Sequence, residues 1–144
     1  MLQTKPESVL ALDYGEKRVG LSLSSLIARL AHPLTTLSND EELLNNLKKI
    51  IEEENVIYLV VGYPRGMEGQ ITKQTKTTET FAEELKAKFN LPVDLQDESL
   101  TSVKAETELM NKDAYSKEDV DALAATYILS DWLDLHDKID ELKQ

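Results

Sequence analysis

The sequence predicts an α/β fold built on one mixed five-stranded sheet, opening as an antiparallel β-meander and continuing through α/β crossovers, with helices on both faces. Three observations predict it. Val9 to Leu12 and Val56 to Val61 are uninterrupted apolar runs, the mark of strands buried on both sides. Between them, Leu43, Leu44, Leu47, Ile50 and Ile51 recur at the spacing of one helix face. A helix separating two such strands is the crossover that parallel pairing requires.

The elements follow in order. Val9 to Asp13 reads as a buried strand, and Tyr14-Gly15-Glu16-Lys17-Arg18 has the length of a hairpin connection. Val19 to Ser24 alternates, as a half-buried neighbour does. His32 to Leu37 forms a third strand, and Pro33, which donates nothing to a ladder, places it at an edge or a strand start. The helix over Asp40 to Glu54 has Ser38 and Asn39 as candidate caps. Val56 to Val61 is then a central strand, stopped by Gly62-Tyr63-Pro64. Arg65 to Thr78, polar and rich in threonine, reads as a loop leading into a helix that carries Phe81, Ala82, Leu85 and Phe89. Pro92 to Gln96 is the fifth strand, with helices over Thr101 to Asn111 and Ser116 to about Leu135; Ser116 and Asp119 resemble a capping box. No repeat or linker divides the chain, so 1–144 is expected to form a single domain, with 1–7 a flexible tail and 136–144 a frayed end.

Composition narrows the function. The 144 residues suffice for a real core, and without cysteine there is neither a disulfide nor thiolate chemistry. The first residues lack an apolar signal region, and no run approaches the roughly 18 apolar residues of a membrane span. A soluble, cytoplasmic protein is expected. The net charge of −11 opposes broad nucleic-acid binding, but 14 acids against 5 bases fall in residues 94–144, leaving the front part nearly balanced. There Lys17, Arg18, Arg29, Arg65, Lys73 and Lys76, read as loop residues, can build a local positive rim.

Three acidic positions stand out because an uncompensated carboxylate is costly where the pattern predicts burial. Asp13 ends the first apolar strand, and Gly15 two residues later lets the backbone approach a ligand. Asp97-Glu98 closes the fifth strand; Asp97 shares the phase of Val93 and Leu95, but phase is often lost at a strand end, so spacing does not choose between the two acids. Asp121 falls on a helical arc with Ala124, Ile128, Trp132 and Leu135, an arc that also takes in Asp131 where the helix end leaves the core. Carboxylates from two strand ends and a helix are how a chain builds an all-oxygen pocket for Mg²⁺ or Mn²⁺. Two such ions can drive phosphodiester hydrolysis. His32 and His136 have no zinc-like spacing and read as surface residues.

At these residues the chain resembles the YqgF/RuvX family, whose members are described as Holliday junction resolvases or as pre-16S rRNA nucleases of RNase H-like fold. The resemblance runs through Leu12-Asp13-Tyr14-Gly15-Glu16-Lys17-Arg18-Val19-Gly20, Val60-Val61-Gly62-Tyr63-Pro64 with Met67-Glu68-Gly69, Phe81 to Leu85, Asp97-Glu98-Ser99-Leu100-Thr101-Ser102 and Val120 to Ala125. It implies an RNase H-like domain with Asp13, Glu98 and Asp121 as catalytic acids and metal ligands, choosing Glu98 over Asp97. It implies Mg²⁺ or Mn²⁺ as cofactor and a nucleic-acid substrate, structured RNA before branched DNA. Lys17, Arg18, Arg65 and Lys73 become candidate substrate-binding residues. Ser99 stands where the family usually has Arg; if that Arg contacts phosphate, substrate affinity is weaker here or supplied by Arg18, Arg65 or Lys73, and if it supports structure, activity survives its loss. The leading expectation is a nuclease maturing the 5′ end of pre-16S rRNA, as a monomer or weak homodimer. The alternatives are a resolvase-like endonuclease for branched DNA, which would need a symmetric dimer, and a non-catalytic binding module of the same fold.

Overall fold

The computed structural model describes residues 5–63, 73–98 and 117–136. Its elements are β1 (Ser8–Tyr14), β2 (Arg18–Ser25), β3 (His32–Ser38), α1 (Leu43–Glu53), β4 (Val56–Tyr63), α2 (Lys73–Phe89), β5 (Val93–Asp97) and α3 (Lys117–Leu135). The five strands form one sheet in the order β3-β2-β1-β4-β5. Antiparallel pairing joins β1 to β2 and β2 to β3, whereas β1–β4 and β4–β5 are parallel. The predicted meander and crossovers are therefore present. The expected helix over Thr101 to Asn111 and the Ser116 cap lie outside the described residues.

Alternation along the strands sorts the core onto two faces. Leu10, Leu12, Leu21, Leu23, Leu59 and Val61 pack with Leu43 and Leu47 of α1 and with Phe81 and Leu85 of α2. Val9, Ala11 and Val60 turn the other way, onto Ile128, Leu129 and Trp132 of α3. Both faces are covered, which is why β1 and β4 read as unbroken apolar runs. Removing a buried leucine such as Leu10 or Leu85 costs about 2 to 5 kcal/mol.

Several local expectations are corrected. The helix α2 starts at Lys73, inside the stretch read as a loop, because Thr75 and Thr78 turn fully buried faces to the core about two turns and one turn ahead of Phe81 and Ala82. Lys73 and Lys76 thus sit on a helix, and Arg18 opens β2. The serine face of β2 is not solvated: Ser22 and Ser24 are buried beneath α3, and the Ser22 hydroxyl donates to the Ala125 carbonyl at 2.8 Å. Small residues here let strand and helix backbones approach closely. Ahead of α1 the side-chain acceptor is Asp40 Oδ1, bonded by the Glu42 amide at 2.9 Å, while Asn39 serves the β1–β2 turn instead. Asn55 and Asn90 follow α1 and α2 with φ of 51° and 53°, the left-handed conformation that ends helices. His136 is half-buried rather than superficial, stacked on Trp132 with ring centroids 4.2 Å apart and 3.6 Å from Asp94.

Candidate active site

Parallel pairing brings the ends of β1, β4 and β5 to one edge of the sheet, and side-chain alternation decides what faces what. Val9 and Ala11 lie under α3, so Asp13, next in phase, points to that side. Val60 lies there too, so Gly62 follows. On β5, Asp94 accepts a hydrogen bond from Trp132 Nε1 at 2.9 Å, which puts Gln96 and Glu98 on the α3 side as well. Asp97 is exposed on the opposite side together with Leu95, 42% exposed and not inward as its phase suggested. The ambiguity between Asp97 and Glu98 has a geometric answer. Alternation persists to the strand end, and the face that matters lies under α3.

Two strand spacings, about 10 Å, separate β1 from β5. The intervening strand β4 carries Gly62 just after Val61, the partner of Leu12, and hence beside Asp13. A Cβ at this position would stand 2.5 Å from both Glu98 Oε2 and Ile128 Cδ1. With glycine there, Glu98 leans over β4 and its carboxyl hydrogen-bonds that of Asp13. Burial pushes Asp13 up from 3.8 to about 6, the hydrogen bond with Glu98 pulls it back, and the Asp121 charge raises it further. Glu98 is pushed from 4.5 to about 9, by burial first, then by the Asp13 charge and the bond between them, then by the Asp97 charge. Both carboxyls are thus held protonated to higher pH than free ones. Glu98 Oε2 is buried and has no hydrogen-bond donor among the described residues.

Asp121 arrives from α3. Its backbone lies against β2 at Gly20, where a Cβ would overlap the Asp121 carbonyl, and Gly20 is the register partner of Asp13. Its Oδ2 accepts from Arg18 Nε at 2.6 Å, with the two side chains 23% and 30% exposed. The structure therefore joins Asp13 to Glu98 directly, while Asp121 stands near enough to act on Asp13 electrostatically but is drawn onto Arg18. Among the described residues, no three acids are grouped as one metal-holding cluster. The donor chemistry nonetheless fits a hard divalent cation. Every donor is a carboxylate oxygen, two carboxyls meet against their own repulsion, and one oxygen is buried without a donor among the described residues.

Of the remaining candidates, Lys17 lies in the β1–β2 turn and Lys73 on α2. Gly15 N–H donates to the Arg18 carbonyl at 2.9 Å and Asn39 Nδ2 to the Gly15 carbonyl at 2.8 Å, closing the β1–β2 turn that exposes Lys17. A cavity of about 630 Å³ opens beside that turn, lined by Tyr14, Gly15, Glu16, Asn39, Lys73, Gln74 and Thr77. Lys73 is exposed at its rim; Arg65 and Ser99 lie outside the described residues. Sequence reasoning missed Gly62 and Gly20 as parts of the site. The available signal was glycine inside a strand pattern, which marks a close approach of another group.

Comparison with known proteins agrees with this architecture. The family model RuvX, described as Holliday junction resolvase, matches residues 7–135. A protein of Chloroflexus aggregans named "Putative pre-16S rRNA nuclease" is 40% identical over 133 residues, covering 89% of this chain and 94% of that one. A protein of the same name from Crocosphaera subtropica is 39% identical over 132 residues, 88% and 92% of the two chains. Among solved structures, T. thermophilus RuvC in complex with a Holliday junction substrate superposes with a TM-score of 0.55 at 11% identity, over 92% of this chain and 96% of that one. The Fowlpox virus resolvase bound to Holliday junction DNA gives 0.50 at 9% identity, over 88% and 98%. At such identities these two speak for the fold, which is RNase H-like. Family model and relatives together establish that the chain belongs to the RuvX family of nucleases, hydrolases acting on ester bonds.

Proposed function

We propose that this protein is a divalent-metal-dependent nuclease that hydrolyses phosphodiester bonds of structured RNA, in the 5′ maturation of pre-16S rRNA in the cytoplasm. The observation that carries the metal-dependent chemistry is the Asp13–Glu98 pair meeting over Gly62 with a buried oxygen that has no donor among the described residues. The names of the relatives at about 40% identity support rRNA as the substrate. In this reading Asp13 and Glu98, joined by Asp121, hold Mg²⁺ or Mn²⁺. An ion held there would supply Lewis acidity, easing ionisation of an attacking water and offsetting charge on the oxygens of the cleaved bond. The acid pair must lose any proton it holds before it can ligate a cation, so metal affinity rises with pH. Lys17, Arg18, Lys73 and Arg65 are the cations assigned to the substrate's phosphates, a local rim within a chain of net charge −11. The cavity between the β1–β2 turn and α2 lies on the α2 side of the sheet, across β1 from Asp13, and offers Lys73 as a contact for substrate lying beyond the turn.

The family description favours one second reading, a structure-selective endonuclease for branched DNA. A single assay separates them: cleavage of precursor 16S rRNA, single-stranded RNA and a four-way DNA junction, each in Mn²⁺, with Asp13→Asn as control. Preferential cutting of precursor rRNA is expected. Faster cutting of the junction by a dimer would select the second reading, and no cleavage of any substrate would leave a binding module.

A further inference from the structure

Arg18 spends its guanidinium on the one acid of the three that the Asp13–Glu98 pair does not engage. Its place is set by the fold. Arg18 and Gly20 share the α3-facing side of β2, and Gly20 admits the Asp121 backbone into contact, so the Asp121 side chain emerges within reach of Arg18. The resulting bond of 2.6 Å is charge-assisted and half-buried. A guanidinium and a divalent cation compete for the same carboxylate lone pairs and repel one another. We infer that Arg18 is a positioning residue that holds the Asp121 carboxylate on the β2–α3 seam in the metal-free protein and hands it over when a divalent cation binds. The inference deepens the proposed function and rests on reading Asp13, Glu98 and Asp121 as ligands.

The handover makes a prediction opposite to that of a residue which merely supports the site. Calorimetric titration with Mn²⁺ alone tests it on wild type, Arg18→Gln, Arg18→Lys, Asp121→Asn, the Arg18→Gln/Asp121→Asn double variant and Asp13→Asn. Loss of the competitor should tighten Mn²⁺ binding by about fivefold in Arg18→Gln, the equivalent of one half-buried ion pair. Arg18→Lys keeps a cation in reach and should stay within about twofold of wild type. In the Asp121→Asn background, removing Arg18 should change affinity by less than about twofold, because the effect runs through that carboxylate. Equal or weaker binding by Arg18→Gln, with Asp13→Asn defective, would overturn the handover. A gain of the same size with and without Asp121 would overturn it too, exposing simple charge repulsion. Undiminished binding by Asp13→Asn would instead overturn the ligand assignment beneath it.

Discussion

Replacing Asp13 by Asn should stabilise the metal-free protein while abolishing its chemistry. In the folded chain burial holds the Asp13 carboxyl at about 6 instead of 3.8. Below 3.8 the group is protonated in both folded and unfolded chains and costs nothing. Between 3.8 and about 6 the unfolded chain releases the proton and the folded one keeps it, so stability falls as pH rises; above about 6 the full cost is present. A displacement from 3.8 to about 6 is worth about 3 kcal/mol. Asn matches the shape of Asp and cannot ionise. At pH 8, Asp13→Asn should gain about that much, which for a domain of this size raises Tm by about 6 to 12 °C. Removing the charge also relieves Glu98, which acts in the same direction. Thermal melts in chelator at pH 4 and pH 8 give the measurement: near-coincidence at the lower pH, separation at the higher. Added Mn²⁺ should then raise the Tm of wild type but not of the variant. An Asp13→Asn protein no more stable than wild type at pH 8 would refute the claim that the carboxyl is held against its own desolvation.

Three further outcomes follow from the same geometry. Glu98→Gln should lose Mn²⁺ binding and cleavage, and it should flatten the decline in metal-free stability that wild type shows from about pH 5 to 9, since the folded group holds its proton up to about 9; parallel pH profiles would contradict this. Gly62→Ala sets a Cβ against Glu98 Oε2 and Ile128 Cδ1 and should weaken Mn²⁺ binding at least about tenfold, at a stability cost of about 1 to 3 kcal/mol read from denaturant melts. Gly20→Ala drives a Cβ into the Asp121 carbonyl, so α3 must shift from β2, with a loss of about 3 kcal/mol; a variant as stable as wild type would mean the seam is looser than described.

Where a residue's surroundings are local, the sequence carried them. Continuous apolar runs marked β1 and β4 because both faces of the sheet are covered, and the periodic leucines marked α1 because only one helix face is buried. Thr75 and Thr78 escaped notice because threonine reads as loop by propensity, and only the position of α2 on the sheet makes them core. On β5 the spacing left Asp97 and Glu98 undecided: Val93 packs against the core as its phase suggests, but with helices on both sides apolar character does not say which side carries the site. Family resemblance brought Asp13, Glu98 and Asp121 forward together, and the fold places the first two in contact. No local pattern could disclose that Arg18 meets Asp121, a pair 103 residues apart.

The centre owes its existence to side chains that are missing. Across β2, β1 and β4, on the face under α3, the row reads Gly20, Asp13, Gly62. Each glycine removes an obstacle on one side of the acid: Gly20 admits the backbone of α3 with Asp121, and Gly62 admits the carboxyl of Glu98 from the far strand. Glycine in a strand interior sacrifices roughly 0.5 to 1 kcal/mol of stability relative to alanine, and the paired carboxyls add an electrostatic cost of their own. Within this packing neither position can take a side chain, since a Cβ at Gly20 would meet the Asp121 carbonyl and one at Gly62 would meet Glu98 and Ile128. The half-buried, self-repelling acid pair that these two gaps accommodate is what an apolar core does not explain and the proposed cation site would, because binding to the folded state alone returns stability by mass action.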